Sequence, residues 1–300
     1  MALSPDAFAW VADLVRRRSA IQLPPGKEYL VESRLLALAK KYQLGDVQDF
    51  VAQARTANDE PLLRSIVEAL TTNETSWFRD NTPFMALRNK IVPELLAARS
   101  RPVHLKVWSA ACSTGQEPYS LAMALSEALP PQVTFEILAT DLSQQVLDRA
   151  AAGRYTQLEV NRGLPAPLMV RYFTRVGAEW EISAALRSRV TFRQHNLMDL
   201  PPVIGRMDVI LLRNVLIYFD LPTKQAILRR MAGVLADDGT LLLGSAETTI
   251  GVDTSWERIQ IGSGSAYRKM PATPGAGAAT AVPTQRAGAT LRPVLQRGGS

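Results

Sequence analysis

The sequence has little of what several classes of protein require. Its one cysteine, Cys112, excludes an internal disulfide and a cysteine-rich zinc site. There are two histidines, and neither a Ser/His/Asp set nor a metal-ligating cluster stands out. No apolar run reaches the roughly 18 residues that suggest a membrane-spanning helix. The N-terminus lacks the basic flank and apolar core of a signal peptide. We therefore expect a soluble cytoplasmic protein with no membrane insertion and no metal.

The charge of the chain is positive without being concentrated. The formal net charge is +6, yet no run of five like charges occurs, and the densest cluster is Arg16-Arg17-Arg18. A basic protein favours an acidic partner, such as nucleic acid, an anionic membrane or an acidic protein surface. A mildly basic surface without such a role is the simpler interpretation. Composition alone leaves both open.

The spacing of apolar residues divides the chain near residue 99. Before that point it is helical, as at Phe8, Val11 and Val15, and no strand pattern of any length appears. Beyond it strands alternate with helices, and the almost wholly apolar stretch MDVILLRN is typical of a parallel sheet covered on both faces. This order predicts a doubly wound α/β fold preceded by a helical domain. The expected domains are residues 1–98 (helical) and 99–270 (α/β), with helices at 46–56, 60–70 and 82–98 in the first.

Two further segments depart from this alternation. Residues 154–190 break the strand–helix rhythm and predict a small inserted β-subdomain. The stretches WERIQI and SAYRKM alternate apolar and polar residues and predict a terminal hairpin. Residues 271–300 are rich in Ala, Gly, Pro and Thr with few large apolar groups, so we expect a disordered tail or a linker to a further domain.

The turn after the first expected strand carries the strongest chemical signal. Small residues from Ser109 to Gly115 would let backbone N–H groups approach a ligand, but one glycine is too few for a pyrophosphate-binding loop. Glu117 just beyond would repel a phosphate and attract a cation. Asp141 ends the second strand, where an acid typically accepts hydrogen bonds from ribose hydroxyls. A nucleoside with positive charge and no phosphate fits both acids, and S-adenosylmethionine is such a ligand.

Six motifs then add a specific resemblance. They are LTTNETSWFRD (70–80), SAACSTGQEPYS (109–120), ATDLS (139–143), HNLMD (195–199), RNVLIYFD (213–220) and GSAE (244–247). In this order they closely resemble the chemotaxis-receptor methyltransferase (CheR) family over about residues 5–270. The resemblance implies methyl transfer from S-adenosylmethionine, leaving S-adenosylhomocysteine, to chemoreceptor glutamates as γ-glutamyl methyl esters. It also implies a Rossmann-like methyltransferase sheet with a helical N-terminal domain and a small β-subdomain.

The resemblance also assigns positions to the site. Arg79 and Tyr218 would orient the reacting groups, Asp141 would hold the ribose, and Asn196 would lie near the adenine. The implied cofactor-binding residues are Asn73, Thr75, Arg79, Glu117, Asp141, Asn196, Leu197, Asn214 and Val215. The implied docking residues, on a basic helix facing acidic receptor helices, are Arg34, Lys40 and Lys41. The expected partner is the cytoplasmic helical methylation region of chemoreceptors, with no nucleic acid, and the protein is expected to be a monomer.

Each of these positions also has a simpler interpretation. Thr71 and Glu74 have the spacing of a capping box that starts a helix. Glu117 in the first turn of a helix stabilises the helix dipole. Asn196 could cap a turn, and Tyr218 could belong to the core. Of the remaining candidates, Cys112 reads as a small buried residue, and His104 and His195 read as structural.

The acceptor chemistry leaves alternatives as well. Amino-group methylation commonly shows an Asn/Asp-Pro-Pro-aromatic run after the fourth strand, where this chain has Arg213-Asn214-Val215-Leu216. Two alternatives to glutamate methylation remain: an RNA or DNA methyltransferase, and a module that only senses S-adenosylmethionine. Some members of the family capture a receptor C-terminal pentapeptide with a longer, glycine-rich loop in the subdomain. Here that segment is short and holds only Gly177, so we expect independence from the pentapeptide.

Overall fold

The N-terminal part of the chain is helical, as predicted. The computed structural model describes residues 3–99, 103–202, 205–262 and 264–270. Three of the first four helices begin at a residue whose side chain accepts a backbone N–H three residues on, namely Ser4, Asp46 and Asp59. The four helices are α1 (Pro5–Ser19), α2 (Glu28–Lys41), α3 (Val47–Ala57) and α4 (Glu60–Ala69).

The helix predicted over 82–98 is interrupted by a wider turn. It consists of α5 (Thr82–Ala86), a π-helical turn (Leu87–Ile91) and α6 (Val92–Ala98). Within the wider turn the Val92 N–H donates to the Leu87 carbonyl, five residues back. Pro93 explains the change, because its ring has no N–H and would clash with the carbonyl four residues before it in a regular helix.

The main sheet of the α/β part has seven strands in the order β6-β2-β1-β7-β8-β10-β9. The pairs from β6 to β8 are parallel, and β10 is antiparallel to both of its neighbours. This is the predicted doubly wound sheet ending in the predicted hairpin. Its strands are β1 (His104–Ala110), β2 (Thr134–Asp141), β6 (Val190–Gln194), β7 (Met207–Leu212), β8 (Leu235–Leu243), β9 (Trp256–Ile261) and β10 (Gly264–Lys269). Its main helices are α7 (Gln116–Ala128), α8 (Gln144–Ala152) and α12 (Leu221–Val234).

A second, antiparallel sheet confirms the inserted β-subdomain. Its three strands run in the order β3-β5-β4, and Gly177, with φ at +63°, turns the chain between β4 and β5. The strands are β3 (Arg154–Thr156), β4 (Phe173–Val176) and β5 (Glu179–Ile182), accompanied by α9 (Gln157–Asn161), α10 (Ala166–Tyr172) and α11 (Ala184–Arg187).

Two local features of the α/β part differ from what the sequence suggests. Ser143 occupies the N-cap position of α8, but its hydroxyl donates to Glu68 instead of capping the helix. Asp237-Asp238-Gly239 has the composition of a turn, yet it lies within β8, where the pairing with β7 shifts irregularly. Ion pairs with Lys269 and Arg99 hold the two aspartates of this segment in place.

The chain up to Lys269 forms one compact unit. One buried cluster lies among the four N-terminal helices, and two others cover the two faces of the main sheet. None of the described helices has the length and apolar character needed to cross a bilayer. The expected tail at 271–300 lies outside the described residues, and the domain boundaries stay predictions.

Candidate active site

A cavity lies at the carboxyl ends of the central strands, where an open α/β sheet binds its ligands. Residues from six parts of the chain line it: the end of α1, the segment after α4, and the turns after β1, β2, β6 and β7. The cavity contains every predicted cofactor-binding residue, together with Tyr218: Asn73, Thr75, Arg79, Glu117, Asp141, Asn196, Leu197, Asn214 and Val215. The three predicted docking residues on α2 do not line it.

The turn between β1 and α7 has an unusual backbone. Ala111 and Ser113 adopt positive φ angles of 64° and 51°, and Gly115 follows at 94°. Non-glycine residues in this region cost free energy, and such strain is concentrated at functional sites. The Ser113 N–H points away from the turn and donates to the carboxylate of Asp141 at 2.8 Å. The first two strand ends are thus joined directly.

Asp141 is positioned by backbone groups on both sides. Its Oδ2 accepts the Ser113 N–H, and its Oδ1 accepts the Ser143 N–H at 3.1 Å. The side chain is buried at the cavity wall. Burial raises the pKa of Asp141, whereas the backbone hydrogen bonds act in the opposite direction. Each carboxylate oxygen has a second lone pair, so the group can still accept hydrogen bonds from a ligand diol.

Glu117 is not the free anion that the sequence suggested. Its Oε2 accepts a hydrogen bond from Arg213 at 2.7 Å, and its Oε1 accepts the Ser109 hydroxyl at 2.8 Å. The same guanidinium also contacts Asp80 at 2.9 Å and the Arg79 carbonyl at 2.7 Å. The Arg213 side chain is only 1% exposed. A buried cation therefore joins the turn after β1 to the segment that carries Arg79.

Glu247 organises the turn that holds Asn214, Val215 and Tyr218. Its carboxylate accepts four backbone N–H groups, from Asn214, Val215, Leu216 and Gly244, at 2.7–2.9 Å. These bonds stabilise Asn214 at a φ of 58°. Gly244 is required here, because a Cβ would lie 2.7 Å from a carboxylate oxygen of Glu247.

The segment after α4 is extended, not helical. The simpler interpretation as a capping box is wrong: the Thr71 hydroxyl donates to the Glu68 carbonyl at 2.7 Å and lies 3.2 Å from the Asn73 side-chain oxygen. The Ser113 hydroxyl donates to the Asn73 carbonyl at 2.8 Å, which fixes the segment across the turn after β1. Arg79 donates to the Glu74 carbonyl at 2.9 Å.

The end of α1 closes the cavity on another side. Ser19 and Ile21 line it, and the Gln22 N–H donates to the Tyr218 carbonyl at 3.0 Å. Asn196 Nδ2 donates to the Arg18 carbonyl at 2.7 Å, and its Oδ1 accepts the Met198 N–H, so the side chain caps a turn as the simpler interpretation had it.

Of the remaining candidates, Cys112 and His195 line the cavity and His104 does not. Cys112 is buried, and burial raises the pKa of its thiol, which therefore stays protonated at neutral pH. This confirms Cys112 as a buried small residue. His195 is buried against Trp108, and burial lowers the pKa of its imidazole. His104 is exposed on β1 and faces Thr134 and Glu136.

Arg213 and Glu247 were not predicted as site residues. Both occur in motifs that were noticed, RNVLIYFD and GSAE, but their partners lie far away along the chain. The one local signal for Arg213 was a charged residue at the end of an almost wholly apolar strand. Within the described residues, no group of three His, Cys, Asp or Glu side chains could hold a metal ion.

The walls of the cavity fit an amphipathic nucleoside. Apolar side chains of Ile21, Leu142, Leu197 and Phe219 accompany the carboxylate of Asp141. Flat apolar surface suits an adenine, and a carboxylate at the end of β2 suits a ribose. The open sheet with an antiparallel last strand and this cavity are features of the S-adenosylmethionine-dependent methyltransferases, and the chain is one of them.

Comparison with known proteins identifies the family. Residues 73–263 match the SAM binding domain of CheR methyltransferase, and residues 6–71 match its all-alpha domain. The chain belongs to the CheR methyltransferase family. It is 40% identical over 273 residues to chemotaxis protein methyltransferase 1 of Vibrio cholerae, covering 89% of this chain and 98% of that one. It is 39% identical over 260 residues to chemotaxis protein methyltransferase 1 of Pseudomonas aeruginosa, covering 85% of this chain and 94% of that one.

Proposed function

We propose that this protein is a glutamate O-methyltransferase that forms γ-glutamyl methyl esters on the cytoplasmic helices of chemoreceptors. The observation that carries the proposal is the single cavity that unites all the cofactor positions implied by the six motifs with Arg79 and Tyr218. Two curated relatives, similar over most of their length, carry the name chemotaxis protein methyltransferase.

The chemistry needs little from the protein beyond alignment. S-adenosylmethionine supplies an electrophilic methyl group on its sulfonium. A glutamate carboxylate has a pKa of about 4.3 and is already ionised at neutral pH, so no general base is required. Holding the two reactants in line can supply roughly 7–11 kcal/mol of the barrier reduction.

Arg79 and Tyr218 are the groups placed to orient the acceptor. Both line the cavity, and neither side chain is engaged in a salt bridge within the described residues. One guanidinium nitrogen of Arg79 donates to the Glu74 carbonyl, and the other guanidinium nitrogens are available to bind a carboxylate. The Tyr218 backbone is held by Gln22. We assign the acceptor carboxylate to this end of the cavity.

The proposal is tested by methyl transfer from tritiated S-adenosylmethionine. Purified full-length protein is incubated with a chemoreceptor cytoplasmic fragment, with total RNA or with DNA. We expect label on the receptor alone. Label on nucleic acid would favour the first alternative. Cofactor binding without transfer to any acceptor would favour a module that only senses S-adenosylmethionine.

A second prediction concerns docking on α2. Lys40 and Lys41 are exposed at its last turn, where they can face an acidic helix. Reversing both charges is expected to raise the apparent KM for receptor several-fold and to leave cofactor affinity unchanged. Lys27→Glu, exposed at the other end of the same helix, is the matched control. Unaltered receptor kinetics in the Lys40/Lys41 variant would exclude this docking face.

Arg34 needs a separate variant, because it is engaged in the fold. Its guanidinium donates to the carbonyls of Leu70 and Thr71, each at 2.8 Å, and to the Thr72 hydroxyl. Thr71 and Thr72 line the cofactor cavity. Charge reversal at Arg34 would therefore disturb the cofactor site as well as any docking contact, and we leave it out of the docking test.

A third prediction concerns the receptor tail. The turn between β4 and β5 consists of Gly177 and Ala178 and offers little room for a peptide groove. We expect equal methylation rates for receptors with and without a C-terminal pentapeptide, and no binding of the free peptide in calorimetry. Micromolar binding, or loss of methylation when the tail is removed, would contradict this expectation.

A further inference from the structure

The inserted β-subdomain contacts two borders of the cofactor cavity without lining it. Residues 154–190 are all described, and none of them forms part of the cavity wall. The contacts instead reach the back of the turn after β1 and the back of the segment after α4. Both of these chain segments carry residues of the cofactor site.

The contact with the turn is made by one hydroxyl group. Tyr155 in β3 is fully buried, and its hydroxyl donates to the Thr114 carbonyl at 2.9 Å. Thr114 lies just before Gly115, the N-cap of α7, so the helix supplies no N–H to this carbonyl. Gly115 is pressed against the same group, since a Cβ there would lie 3.0 Å from the Tyr155 hydroxyl oxygen.

The contact with the other segment is made by aromatic packing. Trp77 is buried edge-to-face against Tyr155 and Phe173, with ring centroids 4.9 and 5.3 Å apart. Its backbone N–H donates to the Arg162 carbonyl at 3.0 Å. The backbone of Gly163 packs against the Trp77 carbonyl oxygen. A side chain is not tolerated there, because a Cβ would lie 2.3 Å from that oxygen. Tyr155 is thus in contact with both segments.

We propose that Tyr155 is a positioning residue, whose hydroxyl holds the turn from Ala111 to Gly115 in the conformation that receives S-adenosylmethionine. The turn needs such support because Ala111 and Ser113 are strained. Without the hydroxyl, the Thr114 carbonyl loses this donor, and the turn relaxes to find another. The inference rests on cofactor binding and is independent of which acceptor is methylated.

A comparison of two buried tyrosines distinguishes an effect on cofactor binding from a general loss of stability. Tyr119 is also fully buried, and its hydroxyl also donates to a backbone carbonyl at 2.9 Å, but that carbonyl belongs to Ala150 in α8 and not to the turn. Tyr155→Phe and Tyr119→Phe each remove one buried hydroxyl, so both are expected to lower Tm to a similar extent.

The readout is S-adenosylmethionine affinity measured by calorimetry on the full chain. We expect Tyr155→Phe to weaken it about tenfold, in the range that the loss of one buried hydrogen bond allows. Tyr119→Phe is expected to stay within about twofold of the parent. In the methyl-transfer assay, Tyr155→Phe should raise the KM for S-adenosylmethionine and leave kcat at saturating cofactor unchanged.

Two results would overturn the proposal. One is unchanged cofactor affinity in a folded Tyr155→Phe variant. The other is equal weakening in both variants, which would make the effect a general consequence of lost stability. Because the readout is cofactor binding, failure to methylate a receptor would refute the proposed acceptor and leave this inference unaffected.

Discussion

Replacement of Asp141 by alanine is expected to weaken S-adenosylmethionine binding by about a hundredfold or more. If Asp141 holds the ribose as proposed, the change removes two charge-assisted hydrogen bonds to the ligand, each worth roughly 1.5–3 kcal/mol. It also releases the Ser113 N–H, which the carboxylate now holds at 2.8 Å. Both losses act on the same cavity wall.

The control for this prediction lies on the same strand. Glu136 in β2 is exposed and pairs with Lys106 at 3.4 Å, away from the cavity. Glu136→Ala should leave cofactor affinity unchanged. Calorimetry that finds parental affinity in a folded Asp141→Ala variant would remove Asp141 from the site.

Replacement of Arg213 by methionine is expected to cost about 3–5 kcal/mol in the free energy of unfolding. The Glu117 side chain is 12% exposed, and it would be left in the interior without its cation. The link to Asp80 and to the Arg79 carbonyl would also be lost. We expect methyl transfer to fall with stability, because both ends of the link border the cavity. Urea unfolding measures the first effect.

Two further variants separate the causes. The double variant Arg213→Met/Glu117→Gln removes both charges. It should recover much of the lost stability, because no uncompensated charge is left in the interior. It should not recover methyl transfer. Arg268→Met breaks the exposed pair with Glu94, whose side chains are 36% and 42% exposed, and should change stability by less than about 1 kcal/mol. An unchanged urea midpoint for Arg213→Met would contradict the proposed role of the buried pair.

The local elements of this fold could be predicted because their signals are local. Helical spacing located α1 to α4, and the apolar run MDVILLRN located a central strand. Periodicity could not show the π-helical turn before Pro93, because widening a turn leaves the apolar face in place. It also could not show that the Tyr155 hydroxyl would donate to the Thr114 carbonyl.

The predicted cofactor-binding residues line one cavity, but the hydrogen bonds and ion pairs among the residues of that cavity could not be predicted. The motifs place Asp141 at the end of β2 and Glu117 in the first turn of the helix after β1, and the carboxyl ends of parallel strands meet at one edge of a sheet. The partners of Glu117 come from elsewhere: Arg213 is 96 residues away. The closing of the cavity by Ser19 and Ile21 depends on how the helices pack on the sheet. No spacing in the sequence encodes that contact.

The most direct test of the account is the identity of the methylated atom. A chemoreceptor cytoplasmic fragment is treated with the protein and labelled S-adenosylmethionine, digested and analysed by mass spectrometry, with a parallel sample exposed to mild alkali. The account predicts a gain of one methyl group on glutamate side chains of the helical region, released as methanol by alkali. A label that resists alkali, or one carried by an amine, a thiol or nucleic acid, would contradict it.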